Sequence, residues 1–306
     1  MANTTFSGPV RSENSFFIAN KNSSTGIVTD SSLHSSANKD VRRYYLEEYW
    51  KQRPALNAVA SAPLTDADAT AAANDAIIIA RAIASRDFEV LGTSMTTALC
   101  TFDTTRAGII ITTGGTDQNQ AIIAPHLDTN QSSWQTVPWG TENQVTWECT
   151  VTTAASIADI KLWAGLKLTN DQLIVTDADQ AYFKFQTDAT NSEAFTDFTL
   201  LHFVHSIGDT DYISALPITV AVDTQYHLKI VIDSNRKAAI YVNGIQYNVT
   251  STSGSTGGTT VTTGTDKTAA LTDDVDFIPY IGVETGAGSA KALKVHWEAI
   301  SRVIHE

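Results

Sequence analysis

Cysteine, charge and long apolar stretches are all scarce in this sequence of 306 residues. It holds two cysteines, and charged residues make up 17% of it without any block of like charge. The longest apolar run, residues 76–84, is interrupted by Arg81 and has about half the length of a bilayer span. The first residues lack the basic and apolar segments of a secretory signal. We therefore expect a soluble protein that is not secreted, in which Cys100 and Cys149 are buried free thiols or, as the alternative, form a disulfide.

The net charge of −13 is unevenly distributed along the chain. Residues 1–60 carry seven basic and five acidic side chains, so the acidic excess lies in the remaining residues. An acidic body repels phosphate, which argues against nucleic acid as a partner. The basic residues between Lys39 and Arg53 suit either a solvated helix face or a contact with an acidic protein surface.

The segment 226–244 carries the clearest structural pattern in the sequence. It begins Tyr-His-Leu-Lys-Ile-Val-Ile-Asp, so that apolar side chains share one face of an extended chain. Polar residues 234–237 supply a turn, and a second apolar stretch ends at the pair Asn243-Gly244, which favours a tight turn. The pattern predicts a β-hairpin.

Similar patterns recur from residue 87 to the last residues of the chain. The candidate strands are 88–91, 108–113, 121–124, 144–152, 160–168, 181–187, 199–205, 218–222, 226–243, 246–249, 277–283 and 293–304. Many short strands with few helical segments between them predict an all-β fold, an antiparallel two-sheet jelly-roll sandwich over 87–306.

The first 60 residues are predicted to form an attachment segment. An extended arm precedes a short α-helix from Asp40 to Arg53, which Pro54 ends, and residues 61–86 connect it to the sandwich. Whether the stretch 76–84 is a strand or a helix stays open. So many rings on a short segment need cover from another surface. The predicted partner-binding residues are Phe6, Phe16, Phe17, Arg42, Arg43, Tyr44, Tyr45, Tyr49 and Trp50.

The predicted strands lack the residue patterns of sandwich enzymes. The spacing Glu-x-Asp-x-x-Glu of retaining glucanases is absent, and so is the Gln-Ile-His strand of jelly-roll polysaccharide lyases. We therefore predict no catalytic residues and no enzyme. If the chain were a diverged glycan-active enzyme, Glu148 would be its candidate carboxylate.

No cofactor or metal site is predicted. His202 and His205 lie three residues apart on a candidate strand, so they face opposite sides and cannot bind one ion together. The segment 125–128 offers two candidate ligands, and the acidic turns 177–179 and 273–276 lack the glycine and terminal glutamate of an EF-hand.

Two tryptophans in a predicted loop, Trp134 and Trp139, are candidate glycan contacts. Indole rings offer flat apolar faces for sugar rings, but they also plug the ends of sandwiches. Both interpretations remain open at this point.

Several segments together resemble tailed-phage virion proteins with a concanavalin A-like jelly-roll body. The residues that carry the resemblance are Thr4–Ser12, Ile122–Asp128, Gly140–Glu148, Ser156–Leu166, Asp179–Phe183 and the 226–244 hairpin. The resemblance implies a capsid decoration or cement protein, made in the host cytoplasm and bound to the major capsid protein on the virion surface, as a homotrimer. Neither nucleic acid nor membrane is an expected partner. The alternatives are a carbohydrate-binding, lectin-like virion module or fibre component, and a diverged glycan-active enzyme.

Overall fold

The computed structural model describes residues 19–21, 28–30, 43–59, 88–125, 139–168, 178–188, 195, 197–254, 257–286 and 288–304. The chain divides into two compact units, Met1–Val41 and Arg42–Glu306. In the first unit, strands β1 (Ala19–Lys21) and β2 (Val28–Asp30) form an antiparallel pair. Within the described ranges, no helix is long and apolar enough to cross a bilayer.

The described part of the second unit is built almost entirely from strands, with one short 3-10 helix at Thr141–Asn143. Its strands are β3 (Arg43–Glu48), β4 (Ala55–Val59), β5 (Phe88–Thr93), β6 (Cys100–Phe102), β7 (Ile109–Thr112), β8 (Gln120–Pro125), β9 (Thr146–Thr153), β10 (Ile160–Leu168), β11 (Gln180–Gln186), β12 (Leu200–Ile207), β13 (Thr210–Thr219), β14 (Gln225–Ile232), β15 (Ala238–Val242), β16 (Ile245–Tyr247), β17 (Thr259–Thr260), β18 (Phe277–Thr285) and β19 (Ala292–Val303).

These strands form two sheets. The nine-stranded sheet has the order β17-β13-β12-β11-β10-β18-β8-β5-β4, and the eight-stranded sheet runs β16-β15-β14-β9-β19-β7-β6 with β3 also paired to β19. The strand pairs are antiparallel except for β4 with β5 and β13 with β17. The predicted all-β sandwich of two antiparallel sheets is confirmed.

One apolar core lies between the two sheets. Trp147 and Cys149 of the eight-stranded sheet belong to the same buried cluster as Phe183, Phe203 and Ile281 of the nine-stranded sheet. In β9 these inward side chains alternate with half-buried polar ones, because successive residues of a strand face opposite sides. Cys100 and Cys149 are both buried and free, as the sequence prediction favoured.

The hairpin predicted over 226–244 is confirmed as β14 and β15, with Ile230 opposite Ile240. Asp233 closes its turn, since its carboxylate accepts hydrogen bonds from the backbone N–H of Asn235 at 2.8 Å and of Lys237 at 3.0 Å. The next turn has Asn243 at φ 51° and Gly244 at φ 78°, the left-handed conformation that this residue pair favours.

The α-helix predicted from Asp40 to Arg53 is wrong, because Arg43–Glu48 forms strand β3. This strand pairs with β19, from Glu48 opposite Glu298 to Arg43 opposite Val303. The two tyrosines and Leu46 of this stretch also suit an extended strand. Pairing with the long strand β19 outweighs the i,i+4 charge pairs that favoured a helix.

The residues after β3 are part of the sandwich as well. Strand β4 runs parallel to β5 at the edge of the nine-stranded sheet, with Leu56 opposite Val90. Residues 43–59, which the sequence prediction assigned to the attachment segment, therefore contribute one strand to each sheet. The stretch 76–84 lies outside the described residues.

Candidate functional site

The candidate site is the outer face of the nine-stranded sheet, the side turned away from the eight-stranded sheet. On the strands between the two edges of the sheet, residues of the main core alternate with residues of a second buried cluster on this outer face. Thus Leu162 and Ala164 of β10 face inward while Trp163 faces outward. The outer-face cluster consists of Leu91, Ile122, Ala124, Trp163, Tyr182, Phe195, Val204, Ile213 and Tyr280. An outer face of this kind is unusual, because antiparallel sandwiches commonly present polar residues to water there.

Glycines make room for the aromatic rings of this face. Gly165 lies opposite Tyr182 on one side and Tyr280 on the other, and a Cβ atom at Gly165 would come within 2.4 Å of the Tyr182 Cα. The two tyrosine rings lie 5.9 Å apart at an angle of 52°. Similarly, the indole of Trp163 lies over Gly282, where a Cβ atom would be 2.3 Å from its Nε1. The close packing of three rings therefore depends on two residues without side chains.

A cation, a benzene ring and an imidazole lie together at the centre of the face. Lys184 of β11 is opposite His202 of β12. The ring of Phe195 stacks on His202 with a centroid distance of 4.2 Å and an angle of 10°, and the Lys184 Nζ lies 5.1 Å from the Phe195 centroid. Tyr182, two residues from Lys184, completes the group on the same face. All four side chains are at most 5% exposed.

The imidazole of His202 is neutral at neutral pH. Burial disfavours its charged form and lowers its pKa to about 4, against smaller opposing effects from the Leu200 backbone and Asp197. Neither ring nitrogen has a normal hydrogen bond to the residues that the structure describes. His205 faces the interior instead and stacks on Tyr212 at 4.7 Å. The prediction that the two histidines face opposite sides is therefore confirmed.

A charged network borders one end of the face. The carboxylate of Glu284 accepts a hydrogen bond from Lys161 Nζ at 2.6 Å and another from the amide of Gln120. Lys161 Nζ also lies 3.9 Å from Asp188, whose backbone carbonyl accepts a hydrogen bond from Gln186 Nε2 at 3.0 Å. These contacts fix the polar groups around the rings in one arrangement.

Polar residues also border the opposite end. Gln180 Nε2 donates a hydrogen bond to Ser206 Oγ at 2.9 Å, and Ser206 donates to Asp211 at 2.5 Å. Lys167 Nζ lies 5.9 Å from the centroid of Tyr280, close enough for a cation–π contact. The face thus presents aromatic rings between amine, amide and hydroxyl groups.

Five of the predicted partner-binding residues are described by the structure. They lie on β3 or directly after it, and none of them belongs to the outer-face cluster. Arg43 donates a hydrogen bond to the Gln144 carbonyl at 2.8 Å, and Trp50 is buried with its ring 5.8 Å from Phe88. Both residues are thus used inside the sandwich. Tyr45 is half-buried, whereas Tyr44 and Tyr49 are exposed. Phe6, Phe16, Phe17 and Arg42 lie outside the described residues.

Of the two candidate glycan contacts, Trp139 is 1% exposed and belongs to the main core, with its ring 5.8 Å from Tyr44. Its indole fills the sandwich rather than offering a surface for a sugar, and its backbone carbonyl accepts a hydrogen bond from the Phe277 N–H at 3.1 Å. Trp134 lies outside the described residues.

The carboxylate proposed for a diverged enzyme, Glu148, lies on the outer face of the eight-stranded sheet. Its Oε2 is 3.3 Å from His227 Nε2 and 3.8 Å from Lys229 Nζ. In the described part of the chain, no three His, Cys, Asp or Glu side chains are grouped so that they could hold a metal ion. His126 and Asp128 fall outside that part.

Sequence reasoning missed the outer-face residues, although β11 carries a usable signal. Its sequence Gln-Ala-Tyr-Phe-Lys-Phe-Gln places polar groups and a phenol ring on one face and apolar side chains on the other. Such an alternation is typical of a strand with one face in water, whereas every residue of β11 is buried.

No family model and no curated protein matches this sequence. Among solved structures, a family 7 alginate lyase, A1-II′, in complex with product has a TM-score of 0.45 at 13% identity, over 68% of this chain and 85% of the lyase. A family 16 endo-glucanase from Bacteroides ovatus has a TM-score of 0.44 at 8% identity, over 71% and 95%. The carbohydrate recognition domain of Emp46p has a TM-score of 0.40 at 6% identity, over 70% and 88%.

The sheet topology itself gives the antiparallel two-sheet sandwich that the sequence predicted. The prediction that the chain is not an enzyme is wrong. The structures to which it is similar include alginate lyases and a glucanase. The absence of the glucanase carboxylate pattern excludes one reaction and not enzymes as a class. The comparisons give no support to a phage origin or a capsid role, and the capsid partner, homotrimer and virion location stay predictions. The structures to which this two-sheet sandwich is similar include a lectin domain and glycan-active enzymes.

Proposed function

We propose that this protein binds carbohydrate on the outer face of its nine-stranded sheet. The observation that supports this most directly is the row of rings Trp163, Tyr182 and Tyr280, set among amines and amides on one sheet face. Ligand sites combine an apolar lining with a small number of convergent polar groups. Sugar rings need this combination, since they present apolar C–H faces and a rim of hydroxyl groups.

The charges of the face favour a glycan with acidic groups. Lys161, Lys167 and Lys184 all lie at outward positions of β10 and β11, on a chain whose net charge is −13. Lys161 pairs with Glu284, and the Nζ atoms of Lys167 and Lys184 also lie over aromatic rings. Two ammonium groups beside aromatic platforms complement sugar carboxylates by charge.

The test compares lysines on the two sheets. The wild-type protein is screened on a glycan array, and its affinity for each retained glycan is measured by calorimetry. Lys184→Gln should weaken binding at least about tenfold through loss of a charge-assisted contact. Lys229→Gln, on the outer face of the other sheet, is the matched control and should bind as the wild type does. The proposal fails if no glycan is retained, or if only Lys229→Gln weakens binding.

Glycan cleavage is the second candidate function, and the neutral imidazole of His202 favours it. A neutral histidine can accept a proton, and Lys184 lies directly across from it in the neighbouring strand, where its charge would stabilise an enolate formed from a sugar carboxylate. Once His202 has taken the proton from the carbon next to the carboxylate, the bond from the adjacent carbon to the glycosidic oxygen would break, and that oxygen would leave with a proton from water, which gives an unsaturated sugar and a shorter chain. We expect ultraviolet absorbance of the new double bond to appear with acidic polysaccharides and to be lost in His202→Gln. Equal turnover by the variant would refute His202 as the base.

A further inference from the structure

Two glutamine side chains at one end of the proposed glycan site have buried oxygen atoms that lack a donor. Gln120 of β8 is 5% exposed, and Gln186 of β11 is 1% exposed. Neither Oε1 atom receives a hydrogen bond from any residue with a described position. Because a buried acceptor without a donor is costly, both oxygens need an O–H or N–H group from another molecule.

The orientation of each amide is set by its nitrogen atom. Gln120 Nε2 donates a hydrogen bond to the Glu284 carboxylate, and Gln186 Nε2 donates one to the backbone carbonyl of Asp188 at 3.0 Å. Carboxylate and carbonyl oxygens accept hydrogen bonds, so the reversed orientation of either amide would place oxygen against oxygen. Both Oε1 atoms are therefore fixed as acceptors that point away from these two partners.

The two glutamines belong to one row of side chains that crosses four neighbouring strands. Gln120 lies opposite Glu284. Lys161 lies opposite Glu284 on one side and opposite Gln186 on the other. Its Nζ donates a hydrogen bond to Glu284 at 2.6 Å. Since an ammonium group carries three N–H donors, Lys161 can donate to a ligand as well. The row therefore offers acceptors and donors side by side.

This combination favours hydroxyl groups over charged groups. A hydroxyl group both donates and accepts hydrogen bonds, so it can donate to Gln186 and accept from Lys161 at the same time. A sugar carboxylate has no hydrogen atom to donate, and the amide oxygens and Glu284 would repel it. A cation would be repelled by Lys161. A neutral polyol edge is the chemistry that this row fits.

We propose that Gln120 and Gln186 determine specificity by accepting hydrogen bonds from hydroxyl groups of the bound glycan. This inference rests on the proposed function, since it gives the glycan an orientation on the same face. Lys184 and Gln186 lie two residues apart on one face of β11, roughly 7 Å along the strand. The carboxylate of a sugar unit lies at Lys184, and the hydroxyl groups across its ring lie at Gln186.

The experiment removes one hydrogen-bonding group from the ligand and one from the protein. The probes are the glycan that the wild type retains most tightly on the array and its monodeoxy derivatives, each without one hydroxyl group. Calorimetry gives each affinity. In the wild type, at least one derivative should bind about tenfold more weakly than the parent glycan, because a buried acceptor loses its donor. In Gln186→Leu, the parent should bind more weakly by a similar factor and no better than that derivative, since both changes remove the same contact.

Gln246→Leu is the matched control. Gln246 is a half-buried glutamine of strand β16, in the other sheet, so its replacement should leave the preference for the parent glycan as it is in the wild type. Urea denaturation shows whether each variant is folded. If Gln186→Leu is not folded, Gln120→Leu decides by the same comparison of parent and derivatives.

The outcomes distinguish this inference from the proposed function. If a glycan is retained but the wild type binds every monodeoxy derivative as it binds the parent, water serves the amide oxygens and the role of the two glutamines is overturned, while glycan binding stands. An undiminished preference for the parent in both glutamine variants overturns that role as well. If the wild type retains no glycan, the proposed function fails, and the specificity assigned to Gln120 and Gln186 fails with it.

Discussion

Replacement of Glu298 by glutamine should raise stability above neutral pH. Glu298 is fully buried in the core and accepts a hydrogen bond from Trp147 Nε1 at 3.0 Å. Its neighbour across the strand pair with β3 is another glutamate, Glu48. Burial, together with the smaller effect of the Glu48 charge and against the opposing hydrogen bond from Trp147, raises the pKa of Glu298 from 4.5 to about 8. The side chain is therefore protonated in the folded protein at neutral pH.

The size of the stability change follows from the difference between the pKa of Glu298 in the folded protein and its pKa in the unfolded chain. Below about pH 4.5 the Glu298 carboxyl is protonated in both states, so it contributes no penalty. As pH rises to about 8, only the unfolded chain releases the proton, and the free energy of unfolding falls. At about 1.4 kcal/mol per pH unit, the interval corresponds to a loss of up to roughly 5 kcal/mol. Glutamine keeps an acceptor for Trp147 without titrating, so Glu298→Gln should remove most of this loss.

Urea denaturation followed by tryptophan fluorescence, at about pH 5 and about pH 8.5, measures the effect. The wild type should lose more stability between the two conditions than Glu298→Gln does, and the variant should be the more stable at the higher pH. Glu47→Gln, one residue from Glu48 on β3, leaves Glu298 in place and should keep the wild-type pH dependence. Equal pH dependence in the wild type and Glu298→Gln would refute the reasoning.

Three further predictions concern the two buried thiols, the turn at Gly244 and the hydrogen bonds of Arg43. Burial raises the pKa of Cys100 to about 11 and that of Cys149 well above its ordinary value, so neither should react with Ellman's reagent until the protein is unfolded. Gly244→Ala should lower the free energy of unfolding by about 1 kcal/mol, because φ is 78° there and the added methyl group would meet no other atom. Gly254→Ala, where φ is not positive, is the control and should leave the free energy of unfolding unchanged in the same urea denaturation assay. Arg43→Met should cost about 2 kcal/mol by thermal unfolding, since its four side-chain hydrogen bonds to Gln144, Thr146 and Ser301 are lost; a change below about 0.5 kcal/mol would contradict this.

The fold was largely predictable because its strands obey the two-residue period. The segment 226–244 shows this, since its alternation and its Asn243-Gly244 turn are local properties and both appear in the structure. The start of the sandwich was not predictable in the same way. Arg43–Glu48 carries helix-compatible charge spacing, and only its pairing with β19, more than 250 positions along the chain, makes it a strand.

The candidate site was not predictable from local patterns. Tyr182 and Lys184 alternate with phenylalanines as surface residues do, and periodicity separates the two faces of a strand without saying what lies on each. Burial of the second face depends on contacts between residues distant in sequence, such as Tyr182 with Tyr280. The opposite orientations of His202 and His205 were predictable, because they follow from the strand period alone.

The long strand β19 has a consequence for how the protein is made. It pairs with β9 along much of its length, with β7 through residues 292–295 and with β3 through residues 298–303, and all of these partners precede it in the sequence. A ribosome therefore releases the partners well before the strand that joins them, and contacts of such separation form slowly. During that interval the edges of β3, β7 and β9 that β19 will cover are open to other nascent chains, so slow elongation and a high concentration of unfinished chains both favour aggregation of this polypeptide.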